Sequence, residues 1–184
     1  MGRTRRAAAA LAPLLWLACS SLSVSADWDP QVRFETLRTW AWLPGQVHGR
    51  EETRPESPLV RRRIVAAIED TFAARGYPRI DGGKPDFWVA YHVAIERRLD
   101  AHTLYDGYTP GPWWHGPGYP RADTYIEEYQ VGTLLIDVID GASKELLWRG
   151  SAQARIGELH TPQQREKRVR EAVQAILERF PPGP

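Results

Sequence analysis

The chain has 184 residues, with 24 Lys and Arg against 23 Asp and Glu, 15 Gly, 15 Pro, eight Trp and one Cys. This length predicts one domain with a single sizeable core, and a net charge of +1 provides no basic footprint for nucleic acid. One cysteine excludes an internal disulfide, so the core alone must hold the fold.

Arg3, Arg5 and Arg6 precede an apolar run from Ala7 to Ala18, and Cys19 closes that run. A basic start followed by a short apolar stretch is the layout of a bacterial export signal. The run contains Pro13 and falls well short of the roughly 20 apolar residues a bilayer-crossing helix needs. Residues 1–18 are therefore expected to be a removable signal peptide, and residues 19–184 the mature domain.

Two cleavage sites compete. Leu17-Ala18-Cys19-Ser20 resembles the lipobox of bacterial lipoproteins, in which the cysteine thiol is linked to diacylglycerol and becomes the amino terminus. Trp16 stands where that pattern usually has leucine. Val24-Ser25-Ala26 instead fits the small-x-small rule of ordinary signal peptidase, and cleavage there releases a soluble periplasmic protein. The lipoprotein site is preferred, because Cys19 ends the apolar run directly and Val24 is needed in the first strand. Ser20 resembles the residue after the cysteine in lipoproteins sorted to the outer membrane. Loss of residues 1–18 removes three arginines and no acid, leaving 21 basic against 23 acidic side chains.

Along the mature chain, Leu22 to Trp28 alternates loosely as a strand, and Phe34 to Leu43 predicts a second with Trp40 and Trp42 on one face. Residues 44–57 are polar and rich in Pro and Gly, which predicts an exposed crossover. Ser57-Pro58 then supplies an N-cap and a proline at the first helical position. Leu59, Ile64, Ala67, Ile68 and Phe72 make the apolar stripe of a helix that ends at Gly76, with Arg61, Arg62 and Arg63 on its solvated face.

Asp86 to Leu99 predicts a long inner strand with Phe87, Val89, Tyr91, Val93 and Ile95 on one side. Asp123 to Asp140 predicts another, with a bulge at Gly132, and Asp140-Gly141 turns the chain into a hairpin partner from Glu145 to Ile156. Thr161-Pro162-Gln163-Gln164 reads as a capping box. Val169, Val173, Ile176, Leu177 and Phe180 follow at helical spacing before Pro181-Pro182 stops the helix. This order predicts an α+β domain: a mostly antiparallel sheet with two main helices packed on one face.

These pieces also resemble a known family. Asp27-Trp28-Asp29-Pro30, Thr39-Trp40-Ala41-Trp42, Gly76-Tyr77, Pro85-Asp86-Phe87, Gly132 to Asp137 with Asp140, Leu147-Trp148-Arg149-Gly150 and Ile176 to Pro182 are together similar to the envelope lipoproteins called the domain of unknown function 4136 family. The resemblance spans the mature chain and implies a secreted or outer-membrane-anchored lipoprotein, with no activity attached.

Chemistry-bearing motifs are sparse. His48, His92, His102, His115 and His160 sit in different elements without the i, i+4 spacing of a helical metal site, so no metal or cofactor is expected. Gly82-Gly83-Lys84 lacks the spacing of a phosphate loop. Asp137 and Asp140 border a turn and are better suited to capping backbone N–H groups than to acid–base work. No nucleophile motif is present, and no catalytic residue is assigned.

The segment from about 105 to 122 is the exception, carrying Tyr105, Tyr108, Trp113, Trp114 and Tyr119 among prolines and glycines. Its composition predicts a loop, and rings on a loop suit stacking on envelope glycans, docking of an envelope protein or a lipid interface; folding back over the sheet's own edge is the structural alternative. The reading that follows is a non-enzymatic lipoprotein of the bacterial envelope. It is tied through Cys19 to the outer membrane, faces the periplasm and binds or supports other envelope components. The alternatives are a soluble periplasmic glycan-binding protein released after Ala26 and an envelope hydrolase.

Overall fold

A computed structural model describes residues 22–45, 56–106, 121–157 and 160–183. In chain order the elements are β1 (Ser23–Trp28), a 3-10 turn (Phe34–Thr36), β2 (Trp40–Trp42), α1 (Pro58–Ala74), β3 (Phe87–Asp106), β4 (Arg121–Asp140), β5 (Leu146–Ile156) and α2 (Pro162–Leu177). The five strands form one sheet in the order β1-β5-β4-β3-β2. Every pairing is antiparallel except β2 with β3. A parallel pair needs a long crossover, and α1 lies in the connection that supplies it.

Both helices begin as the local sequence predicts. The Ser57 hydroxyl accepts from the Val60 N–H, with Pro58 at the first turn. The Thr161 hydroxyl accepts from the Gln164 N–H at 3.2 Å while the Gln164 side chain accepts from the Thr161 N–H at 3.1 Å. Two otherwise orphaned donors are thereby satisfied. At the other end of α2, the Arg75 guanidinium donates to the carbonyls of Leu177 and Phe180, where the helix dipole favours a cation.

The two-residue period of the strands puts Phe87, Val89 and Tyr91 of β3, Ile136 and Val138 of β4, and Trp148 and Ala152 of β5 on one side. Ile64, Ile68 and Phe72 of α1 and Val173, Ile176 and Leu177 of α2 join them in a single buried cluster. The domain is thus α+β, with both helices covering the same face of the sheet. Phe180, just past α2, sits at its centre, with ring centroids 5.3 to 5.9 Å from Phe34, Phe72, Tyr77, Phe87 and Trp148.

Five expectations need correction. Only Trp40–Trp42 of the segment from Phe34 to Leu43 is strand. The Asp86 carboxylate takes the backbone N–H groups of Arg38 and Thr39, at 2.9 and 2.8 Å, so these donors are not available to a ladder. Gly132 is not bulged: it pairs in unbroken register with Ile95 and Ala154, and the shift lies between Val138 and Ile139. Leu59 is 53% exposed rather than part of the buried stripe. Arg61, expected in solvent, is largely covered and lies 3.9 Å from Glu56. Finally, β3 and β4 extend beyond Leu99 and before Asp123, so Tyr105 is a strand residue opposite Ala122 rather than part of a loop.

Candidate functional site

The extra length of β3 and β4 creates the most conspicuous surface among the described residues. β5 ends at Ile156, opposite Gln130, and β2 reaches only as far as Val89. From Gln130 outward, β3 and β4 continue as a two-stranded ribbon to the pair Asp106 and Arg121. Nine residue steps at about 3.3 Å each give a projection of roughly 30 Å. Among the described residues no third strand pairs with this part of the ribbon, and a two-stranded hairpin draws little stability from its own pairing.

Its two faces differ because residues alternate. On the side shared with the helices lie Ile95, Leu99, Ile126 and Ile156, exposed by 42, 66, 68 and 43%, with the Arg97–Glu128 ion pair (3.7 Å) beside them. Exposed apolar side chains scattered singly are ordinary, whereas clustered ones mark an interaction surface. On the opposite face the Arg155 guanidinium donates to Asp100 at 2.7 Å and lies 3.7 Å from the ring centroid of Tyr129. Tyr129 in turn donates to Asp100 at 3.3 Å, and Arg98 pairs with Glu96. The two faces therefore differ in degree: the helix side carries the aliphatic Leu99 and Ile126 beside one exposed ion pair, and the other side is mostly charged and internally paired, with Tyr125 49% exposed on it.

The outer face of the central sheet holds a second polar group. Asp137 is only 3% exposed and accepts from Arg149 Nε at 2.6 Å and Arg149 Nη2 at 2.7 Å, with His92 Nε2 at 3.5 Å. The hydrogen bonds to Asp137 raise the pKa of the Arg149 guanidinium. Both carboxylate oxygens are engaged, an arrangement suited to locking β4 to β5 rather than to moving protons. Asp140 instead closes the turn that follows β4, where its carboxylate accepts from the Ala142 and Ser143 N–H groups at 2.8 and 2.6 Å. The Ser143 hydrogen bond is the main cause holding its pKa below the ordinary value.

A shallow cavity of about 330 Å³ beside β2 is lined by Trp42, Arg79, Asp81, Pro85 and Trp88, among others. Trp88 is already occupied: its indole donates to the Gly141 carbonyl at 3.0 Å, and the Lys144 ammonium covers its ring at 3.7 Å. Among the described residues no three His, Cys, Asp or Glu are grouped to hold a metal. Among the same residues no helix is long and apolar enough to cross a membrane.

Of the residues singled out from sequence, Tyr105 lies in the ribbon, while Cys19, Tyr108, Trp113, Trp114 and Tyr119 fall outside the described residues. Leu99 and Ile126 were missed as candidate surface. Their signal was the β-prone run Thr124-Tyr125-Ile126 and the continued alternation past Leu99, masked by the charges at 96–98 and 127–128.

Residues 24–182 match the family model described as "Domain of unknown function (DUF4136)". No curated protein matches the chain. Among solved structures, a PDZ domain protein from Parabacteroides distasonis ATCC 8503 is similar at 12% identity and a TM-score of 0.55, over 89% of this chain and 37% of that one. The chain thus spans little over a third of that protein's length, and the likeness is one of fold. The PelC dodecamer from Paraburkholderia phytofirmans is similar over 85% of this chain and 94% of its own, at 11% identity and a TM-score of 0.47.

Proposed function

We propose a function from one premise: this chain belongs to the family described as Domain of unknown function (DUF4136). In this reading it is a non-enzymatic lipoprotein of the bacterial envelope. Diacylated Cys19 holds it in the outer membrane, and the domain faces the periplasm, where it binds or supports other envelope components.

The position of β1 is the observation that favours this reading over release after Ala26. Ser23 to Trp28 pair residue by residue with β5, from Gln153 to Trp148, and Val24 and Ala26 pack against the core. Cleavage after Ala26 removes four of the six residues of that strand. Cleavage before Cys19 leaves the strand whole and places the anchor a few residues ahead of it.

Fractionation of cells carrying the wild type or Cys19→Ser tests the reading. The wild type is expected to sediment with outer membranes, and the variant to lose that association. Equal recovery of both in the membrane pellet overturns it, and a soluble wild type beginning at Asp27 favours the released periplasmic form.

A further inference from the structure

We infer that the helix-side face of the β3–β4 ribbon lies on the lipid leaflet that holds Cys19, with Leu99 and Ile126 in contact with the lipid interface. The inference rests on the lipoprotein reading above and adds the orientation of the domain and the part of it that touches the membrane.

Strand polarity carries the argument. Ser23, the first residue of β1, is level with Gln153 of β5, which is level with Thr133 of β4 and Ala94 of β3. From that level β5 runs towards Ile156, and β3 runs the same way towards Asp106. The chain preceding Ser23 therefore enters from the end of the sheet at which the ribbon projects. Cys19 is four residues ahead of Ser23, a reach of at most about 14 Å for extended chain. The ribbon, by contrast, extends twelve residue steps past the level of Ser23, roughly 40 Å. With so short a tether the leaflet cannot lie beyond the end of the ribbon, which is thus brought alongside or into the lipid surface.

The distribution of side chains decides which face meets lipid. The outer face carries Glu96, Arg98, Asp100 and Arg155, whose transfer out of water is costly. The helix-side face offers Ile95, Leu99, Ile126 and Ile156, all partly exposed, and its Arg97–Glu128 ion pair, beside Leu99, is exposed enough to stay hydrated at an interface. A second copy of the chain is the weaker occupant. A stable interface buries about 800 Å² per partner, more than four partly exposed side chains supply. A lipid contact needs less, because the anchor makes it intramolecular.

The test uses the full-length mature protein in vesicles of phosphatidylethanolamine with a minority of phosphatidylglycerol, some lipids carrying a doxyl quencher. Cys19 is the only cysteine, and a thioether-linked sulfur does not react with maleimide. Leu99→Cys, Ile126→Cys and, at the opposite end, Ser143→Cys can therefore each be labelled alone with an environment-sensitive fluorophore, after circular dichroism shows that each is folded. Roughly twofold quenching at 99 and 126, with none at 143, is expected for interfacial contact. Vesicle-bound protein with no quenching at 99 and 126 overturns the inference and leaves the anchor standing. So does a probe shielded only as protein density rises; this outcome identifies a second copy as the cover. A wild type whose Cys19 reacts with maleimide overturns the lipoprotein reading itself.

Discussion

Arg149 holds Asp137 by two parallel hydrogen bonds, of 2.6 and 2.7 Å, across the β4–β5 boundary on the face of the sheet opposite α1 and α2. The carboxylate is almost wholly removed from water, whereas the arginine remains 46% exposed. The pair therefore behaves as a lid of charge over the junction of β4 and β5.

Removing one partner strands a buried carboxylate. Arg149→Ala is expected to destabilise the domain by about 1–3 kcal/mol, read from the urea midpoint at neutral pH. The double variant Asp137→Ala with Arg149→Ala should lose less than the sum of the two single changes. Strict additivity contradicts a coupled pair.

Two glycines of the sheet are expected to respond unequally to the same methyl group. At Gly150 an added Cβ overlaps the buried ring of Trp148 and lies 2.5 Å from Ile176 Cγ2. Neither neighbour has room to move, so Gly150→Ala is expected to cost about 1–3 kcal/mol as an overpacked core. At Gly132 the Cβ meets only Ile156, at 3.2 Å, and that side chain is 43% exposed and free to turn. Gly132→Ala should change stability by less than about 1 kcal/mol. Equal losses in parallel denaturation curves contradict the packing described.

Asp86 joins the entry of β2 to the start of β3, and the Thr39 backbone N–H is the main cause of its lowered pKa, with Arg38 and the Thr39 hydroxyl contributing. A folded-state pKa below the unfolded one means that its stabilisation is fully present above the usual value of 3.8. That stabilisation disappears as pH falls through the lowered value. Asp86 is exposed, and solvent screening limits the effect to about 0.5–1 kcal/mol. The gap between wild type and Asp86→Asn should be constant at neutral pH and shrink below about pH 4. A gap that widens in acid contradicts this role.

How much of this was legible in the sequence depended on how local each cause is. The caps at Ser57 and Thr161 act within a single turn, and the apolar alternation of β3 and the stripe of α2 are short-range patterns, so these elements and the α+β architecture could be read directly. The segment from Phe34 to Leu43 was misread because Asp86, nearly fifty positions later, takes its donors. Gly132 looked like a bulge by composition, yet it makes room for Ile156 across the sheet. The outer half of the ribbon is not legible locally because Glu96, Arg97 and Arg98 interrupt the apolar pattern. These charges are compatible with a strand that leaves the core, where Arg97 finds Glu128 and Arg98 finds Glu96. The candidate site followed the same rule: aromatic composition drew attention to residues 105–122, while the apolar face formed by Leu99 and Ile126 depends on a register no local motif specifies.

The central claim, attachment through Cys19, is tested most directly by mass spectrometry of the mature amino-terminal peptide from the native host. The account predicts a peptide beginning at Cys19 and carrying the mass of a diacylglyceryl group. An unmodified peptide beginning at Asp27, or an intact signal peptide with a free Cys19 thiol, contradicts it.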